Sequence, residues 1–372
     1  MMGEHSGDKS PGRLPAIQDL IVRHLDMFGC PKCRGPVRLD AETVVCENCG
    51  KTYSSDNGIP LLFYPHDPSE QERDVTDVVK AFYEKNPFPN YDDLDTAESL
   101  SQKANKGVFA RLLEEQLPIG ASIIECGCGT GQLTNFLGGR RDRVVFGTDL
   151  CLNSLRLAKG FRDHCNIRNA GFLQMNLFRP AFRDEVFDLV ISNGVLHHTG
   201  DPLGGFKSIA RMLKPNGTII IGLYNTIGRL PTDIRRFLFR VSGDKLRFLD
   251  DHMRNKTYNE ARKRAWFMDQ YKHPHESKHS NTEVLGWFEE NGFEFLSSIP
   301  KVDFSQFAAD EKLFEPHDKG SKLTRFLSES AMMLAGDGGL FIMIGRKYPT
   351  RSAQQHPAVN VGYQPTGRPA AH

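Results

Sequence analysis

Four cysteines near the start of the chain stand in two closely spaced pairs. Cys30 and Cys33 form one C-x₂-C pair, and Cys46 and Cys49 form a second pair after twelve intervening residues. Each pair can place two thiolates on one side of a tight turn, and two such turns can surround Zn²⁺ with four sulfur ligands. We therefore predict a zinc site in preference to disulfides or a redox pair. Because four thiolates leave no open coordination position, this zinc would be structural.

The segment that carries these cysteines, residues 26–64, has only about 40 residues. A module of this size cannot stabilise itself by apolar burial alone. Metal binding contributes roughly 10–16 kcal/mol in zinc-finger peptides, which is enough to supply the missing stability. We therefore expect the fold of this module to depend on its metal.

A glycine-rich turn follows a short apolar strand further along the chain. The strand leads into Glu125, and three alternate glycines come next: Gly127, Gly129 and Gly131. Glycine lets a backbone turn sharply and approach a ligand closely. Because a carboxylate at this position repels a pyrophosphate but pairs with an ammonium group, the pattern favours a ligand with an amino-acid end over a dinucleotide. Asp149, at the end of the next strand, suits hydrogen bonding to two ribose hydroxyls.

The elements around this turn alternate between helix and strand from about residue 106 onwards. Apolar runs predict strands at 122–126, 143–147, 171–174, 187–192, 218–224, 293–298 and 339–346. Strands that alternate with helices form a parallel sheet with both faces covered. We therefore predict an α/β fold for this part of the chain.

These motifs, taken in order, resemble the class I S-adenosylmethionine (SAM)-dependent methyltransferases, in particular methyltransferases of types 11 and 12. Residues 125–131 match the motif that borders the methionine part of SAM, and Asp149 matches the ribose-binding acid. Residues 187–198 match the strand-four motif at the active-site mouth, and 212–218 match the turn before strand five. The resemblance implies a doubly wound, Rossmann-like sheet of seven strands, preceded here by the zinc ribbon.

The same resemblance assigns the cofactor-binding residues and a role for the ribbon. The assigned residues are Glu125, Gly127, Gly129, Gly131, Asp149, Asn176 and Asn193. Asn176 stands where the family usually has the acid that contacts adenine, so an amide would do that work here. Residues 51–63 resemble the end of the zinc ribbon in methyltransferase activators related to Trm112, which implies that the ribbon contacts the methyltransferase domain.

Methyl transfer depends more on the alignment of the acceptor atom, the methyl carbon and the sulfur of SAM than on a base. Orientation can contribute roughly 7–11 kcal/mol, and a base is required only for a weakly acidic hydroxyl or amine. Our candidates for the catalytic residues are His197, His198 and His275. The first two follow strand four at the edge where parallel sheets bind ligands. For the histidine-rich stretch 273–279, contact with substrate, metal binding and a surface loop remain open.

The composition excludes some functions. The chain of 372 residues has 47 Lys and Arg against 46 Asp and Glu, a net charge of +1, which excludes a polycation built for nucleic acid. No apolar run reaches the roughly 18 residues of a membrane span. The first fifteen residues lack the apolar core of a signal peptide. These features predict a cytoplasmic protein with reduced cysteines.

The expected division of the chain follows from these motifs. We expect a flexible leader at residues 1–25, the zinc ribbon at 26–64, a linker or lid at 65–104, the methyltransferase domain at 105–348 with an insertion at 225–281, and a disordered tail at 349–372. Residues 86–91 form either an aromatic lid over SAM or a simple linker turn.

The role of the insertion and the class of the methyl acceptor each have several possible assignments. Residues 229–264 carry eleven cations and five carboxylates, interleaved with aromatic residues. Such a segment can dock RNA, face a lipid surface, or form a lid that packs inward. We favour a small-molecule, lipid or glycan-linked acceptor. The alternatives are a ribosomal or transfer RNA acceptor and a non-catalytic SAM-binding module. The acceptor atom and the oligomeric state do not follow from the sequence.

Overall fold

The cysteine-bearing module consists of short strands. The structure is a computed structural model that describes residues 17–66, 75–89, 96–140, 142–335 and 338–349. The strands of the cysteine-bearing module are β1 (Val37–Asp40), β2 (Thr43–Cys46), β3 (Thr52–Tyr53), β4 (Ser55–Asp56) and β5 (Ile59–Leu62). Strands β1, β2 and β3 form a small antiparallel sheet, and β4 pairs with β5. We call residues 26–64 the ribbon.

One large sheet forms the centre of the molecule. Its further strands are β6 (Ser122–Cys126), β7 (Val144–Asp149), β8 (Ala170–Met175), β9 (Phe187–Asn193), β10 (Leu213–Tyr224), β11 (Phe293–Ile299) and β12 (Leu340–Lys347). The strand order is β11-β12-β10-β9-β6-β7-β8-β5-β4. Strands β5 to β10 are parallel across these pairs, whereas β12 is antiparallel to both of its neighbours. The seven predicted strands are present, and the sheet has nine because β5 and β4 of the ribbon extend it beyond β8.

The chain order of these strands creates a ligand site at the middle of the sheet. The chain moves outward from β6 to β7 and β8, and then returns to the other side of β6 to form β9 and β10. Between β6 and β9 the direction of winding reverses. Open α/β sheets bind ligands at the carboxyl ends of the strands at such a point.

Helices cover both faces of the sheet. They are α1 (Asp19–Arg23), α2 (Thr76–Lys85), α3 (Ala97–Lys106), α4 (Val108–Gln116), α5 (Gln132–Gly138), α6 (Leu152–His164), α7 (Pro202–Ala210), α8 (Leu230–Val241), α9 (Asp251–Arg254), α10 (Glu260–Lys272), α11 (Asn281–Glu290) and α12 (Lys322–Ala331). Because of this cover, both Ile123 and Ile124 of β6 are fully buried although they point to opposite faces. Within the described ranges, none of these helices has the length and apolar character needed to cross a bilayer.

Residues 17–25 differ from the flexible leader that the sequence predicts. They form α1 and a short 3₁₀ turn, and Leu20 and Ile21 of α1 are buried. The side chain of Gln18 donates to the carbonyl of Phe172 at 2.6 Å and accepts from its N–H at 2.9 Å, which ties this segment to β8. The rest of the predicted leader, residues 1–16, lies outside the described residues, as does the predicted tail from residue 350.

The insertion at 225–281 has an apolar core of its own. Phe239 of α8 packs against Phe267 and Tyr271 of α10, with Leu246 and Met253 around them. The sequence left open whether the aromatic residues of this segment face outward or inward. Phe239 and Phe267 face inward, so the insertion has the packing expected of a lid on this side.

Candidate active site

The four cysteines of the ribbon come together as the sequence predicts. The Sγ atoms of Cys30 and Cys49 lie 3.8 Å apart, those of Cys33 and Cys46 lie 3.4 Å apart, and all four lie within 4.8 Å of one another. A Zn–S bond of about 2.3 Å gives S–S separations of about 3.8 Å in a tetrahedron. The donor set and its spacing therefore fit a structural zinc ion. All eight cysteines of the chain are free of disulfides.

Two equivalent turns hold these thiols. In the first turn the N–H of Arg34 donates to the carbonyl of Cys30 at 2.7 Å, and in the second the N–H of Gly50 donates to the carbonyl of Cys46 at 3.1 Å. Arg34 and Gly50 both have left-handed backbone conformations, with φ of 63° and 66°. Each turn therefore presents its pair of thiols in the same way, as a two-knuckle zinc site requires.

The ribbon is joined to the central sheet beside the predicted cofactor site. Strand β5 pairs with β8, with Leu62 opposite Met175. Asn176, the residue that follows β8, donates through Nδ2 to the carbonyl of Tyr64 at 3.1 Å and lies 3.2 Å from Nδ1 of His66. Its Oδ1 accepts from the N–H of Phe178 at 3.0 Å. The side chain of Asn176 therefore holds the end of the ribbon against the site.

The glycine-rich turn after β6 has the conformation that only glycine adopts easily. Gly127, Gly129 and Gly131 have φ of 79°, 53° and 74°. A Cβ on Gly129 would lie 2.3 Å from the carbonyl oxygen of Phe88, and one on Gly131 would lie 2.6 Å from the ring of Phe172. Both the left-handed backbone conformation and the lack of room for a Cβ atom therefore exclude larger residues at Gly129 and Gly131.

Two carboxylates, buried Glu125 and half-buried Asp149, stand beside this turn. Glu125 accepts a hydrogen bond from the hydroxyl of Thr134 at 2.5 Å. Burial raises the pKa of Glu125 to about 7; the hydrogen bonds from Thr134 oppose this shift, and the nearby carboxylate of Asp149 adds to it. Asp149 accepts from the N–H groups of Gly129 and Cys151, both at 2.8 Å, and burial raises its pKa as well. Both carboxylates are thus held in place before a ligand arrives.

A cavity of about 420 Å³ opens at the carboxyl ends of the central strands. Its walls include six of the seven predicted cofactor residues: Glu125, Gly127, Gly129, Asp149, Asn176 and Asn193. Gly131 does not line the cavity, because it packs beneath the turn against Phe172. Oδ1 of Asn193 is buried, has no hydrogen-bond partner among the described residues and packs against Gly222, where an added Cβ would lie 1.8 Å from it. The cavity brings the predicted cofactor residues into one site.

The predicted lid is described only in part. Phe88 and Pro89 line the cavity, and the hydroxyl of Thr130 donates to the carbonyl of Pro89. Upstream, Glu84 of α2 accepts from the N–H of Leu152 at 2.9 Å, which fixes α2 on the start of α6. Asn90 and Tyr91, which the sequence also assigns to this lid, lie outside the described residues.

The far end of the cavity contains a group of residues that the sequence did not single out. The hydroxyl of Tyr83 donates to one oxygen of Asp269 at 2.9 Å. Nε2 of Gln270 donates to the other oxygen of Asp269 and to the hydroxyl of Tyr224, both at 2.9 Å. Burial raises the pKa values of Asp269, Tyr83 and Tyr224. The only signal in the sequence was that Tyr224 ends a predicted strand.

Only one of the three predicted catalytic histidines faces the cavity. The walls include His198 but neither His197 nor His275. Nδ1 of His198 donates to the carbonyl of His275 at 2.9 Å, so its Nε2 is the acceptor for Nε2–H of His197 at 3.1 Å. Nε2 of His275 donates to the carbonyl of Thr199 at 3.0 Å. Burial lowers the pKa values of His197 and His198 well below the usual value, so both are neutral.

A buried ion pair supports this end of the cavity from outside. Arg229, which the sequence counted with the basic surface of the insertion, is fully buried and lies over the ring of Tyr224 at 3.6 Å. Its guanidinium contacts Glu276 at 2.7 Å and donates to Oε1 of Gln270 at 2.6 Å. Burial alone would raise the pKa of Glu276, but Arg229 and Arg236 lower it to about 2. Arg229 therefore positions cavity residues.

The histidine-rich stretch does not form a metal site. His279 pairs with Glu283 at 2.8 Å through Nδ1 and with the hydroxyl of Ser277 at 2.9 Å through Nε2. Among the described residues, the four ribbon cysteines are the one group of metal-ligating side chains that come together.

Comparisons with known proteins agree with this site. Residues 124–221 match the family model described as a methyltransferase domain. The chain is 25% identical over 157 residues to the mitochondrial ubiquinone biosynthesis O-methyltransferase of Dictyostelium discoideum, covering 40% of this chain and 47% of that protein. It is 29% identical over 157 residues to the cyclopropane-fatty-acyl-phospholipid synthase of Escherichia coli K12, covering 40% and 37%. A solved complex of the Haloferax volcanii Trm112 methyltransferase activator with a methyltransferase is 16% identical, covers 74% of this chain and 99% of that chain, and has a TM-score of 0.43.

The family match identifies residues 124–221 as a methyltransferase domain, and the cofactor site lies within it. The family match covers β6 through most of β10, which includes the glycine-rich turn and both carboxylates of the cofactor end. The match spans less than half of the length of the curated relatives named above. The ribbon and the insertion lie outside the matched residues 124–221.

Binding of SAM is expected to strengthen as the pH rises towards 7 and then to level off. The pKa of Glu125 is about 7 in the cofactor-free site. Under the predicted assignment of Glu125 to the ammonium group of SAM, the protonated carboxyl group cannot form this ion pair at lower pH. Each pH unit below that value should weaken binding about tenfold. Isothermal titration calorimetry between about pH 5 and pH 8 measures this dependence.

The variant Glu125→Gln provides the control, because its weaker binding should not change over the acidic range. The stability of the cofactor-free protein should change in the opposite sense. The folded state keeps the proton on Glu125 up to about pH 7, whereas the unfolded chain releases it near pH 4.5, so stability falls as the pH rises between these values. Equal pH dependence in the variant and the wild type would exclude Glu125 as the cause.

Proposed function

We propose that this chain transfers the methyl group of SAM to a small-molecule, lipid or glycan-linked acceptor. One observation carries the proposal: a single cavity is lined both by the cofactor motif and by a second group of polar residues, which we call its two ends. Asp149 marks the first end, and Asp269 with Tyr83 marks the second. A non-catalytic binding module needs only the first end.

The residues of the cofactor end fit SAM by their chemistry. When bound, SAM supplies an electrophilic methyl group on a sulfonium centre. We assign Glu125 to its ammonium group, Asp149 to its ribose hydroxyls and the backbone beside Gly127 to its methionine part. The amide of Asn176 is already hydrogen-bonded to the backbone of Tyr64 and Phe178. We therefore assign Asn176 to positioning the ribbon beside the adenine end of the site. Pre-oriented groups of this kind reduce the entropic cost of alignment.

The residues of the far end fit an acceptor that loses a proton. An acceptor hydroxyl or amine gives up a proton on methylation, and Asp269 and His198 are the cavity-lining groups placed to receive it. Nε2 of His198 already accepts from His197, whereas Asp269 keeps free lone pairs on both oxygens. We therefore propose Asp269 as the proton acceptor. Of the histidines predicted from the sequence, His198 is assigned to contact with the acceptor.

The names of two relatives support the acceptor class, whereas a third relative, 36% identical over 117 residues, is the probable tRNA methyltransferase 9B of Homo sapiens. Of the first two, one is an O-methyltransferase of ubiquinone biosynthesis, and the other is a cyclopropane-fatty-acyl-phospholipid synthase. Both names describe chemistry on small or lipid molecules. By contrast, several cations of the insertion that could have docked RNA are bound to carboxylates: Arg229 and Arg236 to Glu276, Lys278 to Asp233, and Lys272 to Asp244. We therefore place RNA below a small-molecule or lipid acceptor, and the cytoplasmic location remains a prediction.

The test uses two carboxylates at opposite ends of one cavity. The purified chain is incubated with methyl-labelled SAM and fractionated cell extract, and SAM binding is measured in parallel. We expect label in an organic-soluble or small-molecule fraction. Asp149→Asn should lose both SAM binding and labelling, whereas Asp269→Asn should keep SAM binding within a few fold and lose labelling by at least about a hundredfold.

Two results would contradict the proposed function, and a third would contradict the role of Asp269. Label in an RNase-sensitive fraction would move the acceptor to RNA. Binding of SAM without label in any fraction would favour the non-catalytic module. Normal labelling by Asp269→Asn would leave the acceptor class standing but remove Asp269 as the proton acceptor.

A further inference from the structure

Two helices present apolar side chains on the face that points away from the protein. On α8 the exposed residues follow helical spacing: Leu230, Ile234, Phe237 and Val241. The buried residues of the same helix, Thr232 and Phe239, lie on the opposite side. Because α8 already buries one side against the insertion core, the outer stripe has no packing role in the fold.

Helix α12 shows the same arrangement with polar residues inside. Its buried residues are Ser328 and Glu329, whereas Leu323, Phe326 and Leu327 are exposed. In a surface helix the apolar side normally faces the core. The outward stripe continues at Met333 and Leu334 in the turn that follows α12. We call the two stripes with this turn the outer apolar face.

The start of α8 and the turn that follows α12 come together beside the wall of the cavity. A Cβ on Gly228, just before α8, would lie 2.8 Å from Cβ of Met332, just after α12. The N–H of Asn225 donates to the carbonyl of Gly339 at 2.8 Å, and the next residue, Leu340, lines the cavity. The outer apolar face therefore adjoins the strand ends that form the far end of the cavity.

Cations outnumber carboxylates around the outer apolar face. Residues 230–249 hold five cations and two carboxylates, and residues 319–334 hold three cations and one carboxylate. Several of these charges are paired: Asp233 with Lys278, Asp244 with Lys272 and Arg247, Arg235 with Asp250, and Arg236 with Glu276. Buried Glu329 accepts from the N–H of Asn281. Arg240, Lys245 and Lys322 are exposed. The rim is therefore cationic.

We propose that the outer apolar face docks on a bilayer surface that contains anionic phospholipids. Apolar side chains inserted at the headgroup boundary and a cationic rim are the two features by which helices bind such surfaces. A symmetric dimer through this face would place the same cationic rim on both sides of the interface, which is unfavourable. An RNA would neutralise the rim but leave the apolar stripes exposed to water. This docking would hold the cavity beside lipid-soluble acceptors.

Vesicle binding tests the proposal without SAM and without knowledge of the acceptor. The full chain is sedimented with vesicles of phosphatidylcholine alone and with vesicles that also contain phosphatidylglycerol. We expect binding to the anionic vesicles that weakens with added salt. Phe237→Ser and Phe326→Ser, at side chains that are 63% and 55% exposed, should each reduce the partition coefficient about tenfold.

Ile119→Ser provides the matched control. Ile119 is 85% exposed but lies between α4 and β6, at the opposite end of the sheet from the cavity. This variant should bind vesicles as the wild type does. Sedimentation velocity without vesicles tests the dimer: an association lost in Phe237→Ser and Phe326→Ser, with no vesicle binding, would overturn the proposal. Absence of vesicle binding in the wild type, or equal binding by all variants, would overturn it as well.

Discussion

Replacing Cys46 by serine should remove zinc and lower the melting temperature of the whole chain by at least about 10 °C. Zinc stabilises isolated modules of this size by roughly 10–16 kcal/mol. The loss is smaller here, because ribbon residues such as Phe28 and Val44 also pack into the core around the central sheet. A loss of several kcal/mol shifts the melting temperature of a domain this large by about 2–4 °C per kcal/mol. Differential scanning calorimetry with zinc analysis measures both effects.

The same variant should weaken SAM binding by at least about tenfold. Strand β5 of the ribbon completes the edge of the sheet beside β8, and the carbonyl of Tyr64 accepts from Asn176 in the cavity wall. When the ribbon unfolds, this wall loses its support. Calorimetric titration with SAM at a temperature below both transitions tests the link.

Cys165→Ser is the control for this prediction. Cys165 is also a free cysteine, but it caps the end of α6 and takes no part in the ribbon. It should change neither zinc content nor SAM affinity. If Cys46→Ser lost its zinc and still bound SAM as tightly as the wild type, the ribbon would be independent of the cofactor site.

Glu276→Gln should destabilise the chain by about 3–5 kcal/mol. Its carboxylate is the ion-pair partner of Arg229, and the two side chains are almost fully buried. Without that charge the guanidinium of Arg229 stays buried and unpaired beside Tyr224. Gln270, which Arg229 holds, would also lose its position against Asp269. Urea unfolding measures the loss.

Two further variants distinguish the cost of a buried unpaired charge from the cost of losing any ion pair. Asp251→Asn removes a carboxylate from an exposed pair with Arg254 and should cost less than about 1 kcal/mol. The double variant Arg229→Met with Glu276→Leu removes both buried charges and should recover most of the stability lost by Glu276→Gln. If Glu276→Gln matched Asp251→Asn, the buried pair would have no special importance.

The histidine-rich stretch shows why some residues of the site could not be assigned from the sequence. Spacing alone made His275 and His279 a candidate metal pair and His275 a candidate base. The structure instead uses His275 to bond Thr199 and uses its neighbour Glu276 to neutralise Arg229. These partners are 76 and 47 residues away along the chain, so no local pattern indicates them.

The sequence by itself determined the features that depend on neighbouring residues. The paired cysteines, the glycine-rich turn after β6, Asp149 at the end of β7 and the seven alternating strands all follow from short-range spacing and backbone chemistry. These features were predictable because a tight turn or a strand end imposes its residue types locally.

Only the tertiary structure decided the features that depend on long-range contact. It placed two ribbon strands on the edge of the sheet, brought Tyr83 of α2 onto Asp269 of α10, and buried Arg229 within a segment that reads as a basic surface. It also left α8 and α12 with their apolar stripes outward. The physical reason is that burial and pairing are set by which elements pack together, and composition does not specify those partners.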